Sequence, residues 1–222
     1  MPDIKTIAII EATSGMGAGL ARILSKSSRY RLLLMSDDQA RLEKLRMEIG
    51  AYKSKDALCT MTCAREASWE ADIIVIATPG AQHRNVADKV RDVAIGKVVI
   101  STSNPIVDAY YTLDKSADTS VAEDLQKLLP HSKVVKAFNT MFPHDLISRV
   151  VNGKPVDVHI AGNNGDAIET ASEVVTRAGF NPVLVGNLAV SRELERSRVN
   201  LILRKLKEYE WLGVARYYTL KQ

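Results

Sequence analysis

Residues 5–21 read KTIAIIEATSGMGAGLA, and this stretch decides the fold. Lys5 to Ile10 is a short apolar, β-branched run, which predicts a strand. Ala18 to Lys26 sets Leu20, Ile23 and Leu24 at helical spacing, which predicts a helix straight after it. A strand, a turn of small residues and a helix form the setting in which a helix N-terminus takes a phosphate. Thr13, Ser14, Gly15, Met16 and Gly17 are small or flexible enough for the backbone to approach a pyrophosphate, and the first helical N–H groups supply partial positive charge. The turn departs from the dinucleotide pattern at its first position. There Glu11 adds a Cβ and a carboxylate, which the reading places near the phosphates. A turn that only packs, with no ligand, is the competing role.

Working outward, strand and helix signals alternate. Arg31 to Met35 predicts a second strand, and Asp37 or Asp38 caps a helix whose face is Leu42, Leu45 and Ile49 and which Gly50 stops. Ala57–Met61, Asp72–Ala77, Val98–Ser101 and Lys133–Phe138 predict further strands. Helices are expected over Gln82–Val93 and Ser120–Leu129. Later, Val156–Ala161 and Val183–Val185 bracket a helix over Asp166–Ala178, closed by Gly179, and a long helix follows over Ser191–Glu208. Strands without polar alternation are buried on both faces, which implies a parallel sheet covered by helices. The fold class is therefore α/β: a Rossmann-type doubly wound parallel sheet over 1–150, then a small α/β extension with a terminal helix over 151–222.

Composition narrows the function. The 222 residues are 46% hydrophobic and 25% charged, which excludes disordered and low-complexity classes. No run of about 18 uncharged apolar residues exists, and Met1 to Ile10 lacks the form of a signal peptide, so a cytoplasmic protein with no membrane partner is expected. Cys59 and Cys63 are too few for a disulfide framework and lack companions for zinc, so no metal site is assigned. The net charge of +4 comes wholly from the residues after Val190, where signs interleave as on a solvated helix, so nucleic acid is not expected as a partner. That same tail carries Leu194, Val199, Leu201, Ile202, Leu203, Leu206, Trp211, Leu212, Val214, Tyr217, Tyr218 and Leu220, more apolar surface than one stripe needs. It predicts a homodimer interface, the alternative being a tail folded back on its own domain.

Other polar clusters fall just after predicted strands. Ser36 and Asp37 follow the second strand, where an acid binds a ribose 2′-hydroxyl and favours NAD, whereas Ser36 with Arg41 would hold a 2′-phosphate and favour NADP. Thr78-Pro79, Ser103-Asn104 and Ala137 with Asn139 follow three more strands, where a nicotinamide and its partner would lie. Tyr111-x-x-x-Lys115 mimics the Tyr/Lys pair of short-chain dehydrogenases, but the segment after the fourth strand reads ATPG and not Asn-Asn-Ala-Gly. The four histidines, His83, His131, His144 and His159, are scattered, and no catalytic residue is assigned.

Taken in order, ATSGMGAGLA, MSDD, ADIIVIATP, VVISTSNP, SVAEDLQKLLPHSKVVKAFNT, VDVHIAGNN and GFNPVLVGNLAVSRELE resemble the deazaflavin (coenzyme F-420)-dependent NADP oxidoreductases. The resemblance extends to the cytosolic domain of six-transmembrane ferric reductases and runs from about Ile4 to Leu206. It implies hydride transfer between NADP or NAD and coenzyme F-420 or a flavin as second substrate. It also implies Thr13, Ser14, Gly15 and Met16 at the pyrophosphate, Ser36 and Arg41 at a 2′-phosphate, Thr78 and Pro79 along the cleft, and Ala137 with Asn139 near the carboxamide. Glu11 stands where the family has Gly, and Asp37 where it usually has Arg. Such chemistry needs no covalent nucleophile, so a non-catalytic dinucleotide-binding or redox-sensing protein with a degenerate glycine motif is the alternative.

Overall fold

The computed structural model describes residues 4–52, 54–105, 118–141, 146, 149–151 and 153–200. β1 (Lys5–Ile10), β2 (Tyr30–Met35), β3 (Leu58–Met61), β4 (Ile73–Ile76), β5 (Val98–Ser101) and β6 (Lys133–Lys136) form a parallel sheet in the order β3-β2-β1-β4-β5-β6. The strand order reverses between β1 and β4, the switch point at which such sheets bind ligands beyond their carboxyl ends.

A small hairpin of β7 (Val150–Val151) and β8 (Lys154–Pro155) precedes β9 (Asp157–Gly162), and β10 (Asn181–Gly186) completes the eight-stranded sheet. The six strands expected as a parallel sheet are parallel, and the strands of the extension join that sheet at its β6 edge. β9 runs antiparallel to β6, through Val135↔Gly162 and Lys136↔Ala161, and β10 runs parallel to β9. β9 alternates exposed Asp157 and partly buried His159 with buried Val158 and Ile160, whereas β4 is a continuous buried apolar run, and an alternating strand is not bound to the parallel direction.

The alternation of side chains across the sheet builds two cores. Ile7 and Ile9 of β1 pack on one face with α1 (Gly15–Leu24), α2 (Gln39–Ile49) and α6 (Gly165–Arg177). Ala8 and Ile10 pack on the other with α3 (Ala64–Glu70), α4 (His83–Val90) and α5 (Val121–Leu128). Each fully buried Ile or Leu contributes about 1.5–3 kcal/mol, so this two-sided burial fixes the register of every strand. α3 answers to no sequence expectation: its buried residues are Ala64, Ala67 and Ser68, too small to print an apolar stripe. Residues 191–200 are helical, and the remainder of the expected C-terminal helix lies outside the described residues. Among the described residues no helix is long and apolar enough to cross a membrane.

The ladder continues one bond past the strand ends. Ala12 N donates to Met35 O (2.8 Å), Ala77 N to Ile10 O (3.0 Å), Thr102 N to Ile76 O (3.2 Å) and Ala137 N to Ser101 O (3.2 Å). Each bond pins the first or second loop residue after one strand to the last residue of its neighbour, so the loops leave the sheet from fixed points.

Candidate functional site

The turn after β1 is tight. Glu11 adopts φ +64°, a left-handed conformation that costs a residue with a Cβ about 1–2 kcal/mol. Its carbonyl accepts from Ser14 N at 3.1 Å. Ser14 caps α1, its Oγ accepting from Gly17 N at 3.0 Å. The N–H groups of Gly15 and Met16, in the first turn of α1, have no intrahelical acceptor and open the helix N-terminus to an anion. Gly17 is required by space: a Cβ there would meet the Glu11 carbonyl oxygen at 2.3 Å. Gly19, two residues on, accommodates the Leu146 side chain, which a Cβ would meet at 2.3 Å.

Glu11 departs from its expected place near the phosphates. Its side chain reaches across to the end of β2, where Oε1 accepts from Ser36 Oγ at 2.6 Å and from Thr13 Oγ1 at 3.0 Å. The two hydroxyl oxygens are themselves 2.6 Å apart. The parallel register explains this: Ile10 pairs with Met35, so positions 11 and 36 emerge side by side. Ser36 is fully buried beneath the carboxylate.

Beyond Ser36 the structure separates the residues that the sequence grouped. Asp38 is the cap of α2, its Oδ1 accepting from Arg41 N at 3.0 Å. The Arg41 guanidinium pairs with Asp38 (Nε–Oδ2 3.4 Å) and is largely exposed, so it is not brought to Ser36. Asp37 is exposed.

The three remaining clusters meet at the adjoining strand ends. Thr78 is buried after β4, and its carbonyl accepts from Ser103 Oγ at 2.7 Å. Pro79 follows it and leads into Gly80, where a Cβ would meet the Asn104 carbonyl oxygen at 2.2 Å, so the β4 and β5 loops touch through backbone. Asn104 and Asn139 are joined twice: Asn104 Nδ2 donates to Asn139 O (3.2 Å), and Asn139 Nδ2 donates to Asn104 Oδ1 (3.0 Å). Ala137 is fully buried, and Phe138 turns through φ +61° against Phe180. Thr78 Oγ1 and Asn139 Oδ1 are buried without a hydrogen-bond partner among the described residues. Buried polar atoms are rarely left so, which makes both of them candidates to meet a ligand.

Behind these loops lies a charge cluster that sequence reasoning missed. Lys136, fully buried at the end of β6, pairs with Glu195 from the 191–200 helix (Nζ–Oε1 2.5 Å) and also donates to the Ser103 carbonyl. Burial pushes the Lys136 ammonium below its ordinary value, and Glu195 opposes that shift. Glu195 also accepts from Val121 N (2.9 Å) and Ala122 N (3.3 Å), which closes the N-terminus of α5. Arg192 adds a two-pronged pair to Glu123 (2.6 and 2.8 Å) beside the Ser120 capping box of α5. The visible signal was a lysine inside a strand otherwise buried on both faces.

Residues 6–105 match the family described as NADP oxidoreductase coenzyme F420-dependent. The F420-dependent NADP reductase of Methanocaldococcus jannaschii is 27% identical over 197 residues, covering 85% of this chain and 87% of that protein. The chain is similar to the F420-dependent NADP oxidoreductases. Its likeness is thus to oxidoreductases built on an NADP-binding Rossmann-type fold. The metalloreductase STEAP3 of Rattus norvegicus is 30% identical over 146 residues, but the chain spans only 29% of its length. A solved structure from Arthrobacter sp. FB24 superposes with a TM-score of 0.74 at 20% identity, covering 96% of each chain, which shows the shared fold.

Thr13, Ser14, Gly15, Met16, Gly17, Ser36, Thr78, Pro79, Ser103, Asn104, Ala137 and Asn139 all lie at one edge, beyond β1, β2, β4, β5 and β6. Arg41 is paired with Asp38 and stands apart from it, while Asp37 follows Ser36 in the chain with its side chain exposed. Tyr111 and Lys115 lie outside the described residues, as does the tail after Asn200 on which most of the dimer expectation falls. Cys59 and Cys63 are free thiols.

Proposed function

We propose that the chain is an NAD(P)-dependent oxidoreductase that passes a hydride between a nicotinamide cofactor and a deazaflavin or flavin-like acceptor. The observation that carries this reading is the single sheet edge on which an open helix N-terminus and two unpartnered buried acceptors, Thr78 Oγ1 and Asn139 Oδ1, come together. The residues suit a dinucleotide: Gly15 and Met16 N–H groups for the pyrophosphate, and Thr78 and Asn139 for the polar edge of the nicotinamide. The nicotinamide and the acceptor supply the two-electron chemistry when bound. The chain's task is orientation, holding two rings at about 3–3.5 Å and keeping water out. The two hydrogen bonds between Asn104 and Asn139 and the close approach of Gly80 to the Asn104 backbone tie the receiving loops together. We take the working form to be a homodimer through the tail, which sedimentation of the full chain tests; a monomer at micromolar concentration refutes it.

Anaerobic turnover with NADPH or NADH and a 5-deazaflavin or FMN, followed by loss of reduced nicotinamide absorbance, tests the activity. Hydride transfer to at least one acceptor is expected, and bound nucleotide with no turnover to any acceptor contradicts it. That second outcome is the prediction of the alternative, a non-catalytic binder or redox sensor, which the Glu11 carboxylate in a left-handed turn favours.

A further inference from the structure

We infer that Glu11 reads the 2′ position of the adenosine ribose, accepting a hydrogen bond from a free hydroxyl and repelling a phosphate, so that the chain takes NAD(H) ahead of NADP(H). This rests on the dinucleotide reading above. In Rossmann domains the adenosine ribose lies at the end of the second strand, where an acid from that strand takes its 2′-hydroxyl. Here the carboxylate at that place comes from the end of β1 instead, and three features equip it for the task.

The carboxylate is aimed and held. Thr13 and Ser36 both donate to Oε1, which leaves Oε2 without a hydrogen bond among the described residues and available as an acceptor. The two hydroxyls that would otherwise greet a 2′-phosphate are occupied by the carboxylate. Its charge is also uncompensated. No lysine or arginine pairs with Glu11 among the described residues, and Arg41, the cation that the sequence offered for a 2′-phosphate, pairs with Asp38. Asp37 adds a second negative charge next to Ser36 in the chain. Finally, the backbone carries a left-handed φ of +64° to keep a side chain where glycine would sit without cost. Strain of this kind collects at ligand sites.

A phosphate dianion beside an unpaired carboxylate meets a repulsion that depends steeply on local dielectric. Calorimetric titration of NADH and NADPH into wild type, Glu11→Gln and Asp37→Asn tests the inference, with circular dichroism to confirm that each variant is folded. Wild type is expected to bind NADH at least about tenfold tighter than NADPH. Glu11→Gln keeps the shape and removes the charge, so NADPH tightens until the two differ by less than about threefold. Asp37→Asn moves the ratio less than Glu11→Gln does. A wild-type preference for NADPH, or a ratio that Glu11→Gln leaves unchanged, overturns the inference while the dinucleotide reading stands. Equal tightening of both ligands in Glu11→Gln also overturns it, showing a side chain that merely fills the site. Failure of every form to bind either dinucleotide overturns the dinucleotide reading and the inference with it.

Discussion

Two carboxylates mark the two halves of the candidate site, and they are held in opposite ways. Glu195 is almost fully buried, faces a lysine and accepts two backbone N–H groups, so its hydrogen-bonding capacity is consumed inside the protein. Glu11 is partly exposed, pairs with no cation among the described residues and spends one oxygen on two hydroxyls. A buried charge saturated by partners ties elements together, here the 191–200 helix, β6 and α5. A held but uncompensated charge at the end of a strand is poised for something from outside. The same residue type thus serves architecture at one end of the edge and recognition at the other.

The contrast breaks most visibly in stability. Lys136→Met or Glu195→Gln leaves the partner charge buried and unpaired, a loss of about 3–5 kcal/mol, measured as a fall in the urea midpoint. Replacing both with apolar residues is expected to recover only part of it, because the Val121 and Ala122 N–H groups and the Ser103 carbonyl lose their partners. Gly17→Ala forces a Cβ toward the Glu11 carbonyl at 2.3 Å and is expected to cost about 1–3 kcal/mol. It also displaces the α1 N-terminus, so calorimetry should show weaker dinucleotide binding. Ser120→Ala removes the capping box on the Glu195 side for about 1 kcal/mol. Glu11→Gly comes last. Relief of the left-handed backbone and loss of the two hydrogen bonds are each on the order of 1–2 kcal/mol and nearly cancel, so its melting temperature should stay close to wild type.

Acid sharpens the same contrast. Arg192, with help from the Ser120 capping contacts, holds the Glu123 carboxyl below its ordinary value of 4.5. A carboxyl with a lowered folded value contributes stability that is present above the unfolded value and lost as pH falls through the folded one. Stability should therefore decline below about pH 4.5, and Glu123→Gln should flatten that part of the curve in urea titrations at graded pH.

The sequence made much of the edge legible. Apolar runs located β1, β2, β4, β5 and β6, and Asp38 and Ser120 announced their helices because short polar side chains satisfy free N–H groups. What it hid has physical causes. The direction of β9 was invisible because an alternating strand such as Asp157–Gly162 can run either way, and its pairing with β6 is a long-range contact that no local pattern announces. α3 was hidden by the small size of its buried residues. Glu11 was identified as anomalous but placed by counting along the turn. Only the β1–β2 register shows that its side chain lies over Ser36. Lys136 and Glu195 are 59 residues apart, and nothing local to either announces the other.

Amide hydrogen exchange of the full chain with and without saturating NADH tests most directly the claim that this edge holds a dinucleotide. Slowed exchange is predicted at residues 12–17, 36–38, 78–80, 103–104 and 137–139, with the Val121 and Ala122 amides that Glu195 already holds left unchanged. Protection confined to other parts of the fold, or none at a concentration where calorimetry reports binding, would contradict it.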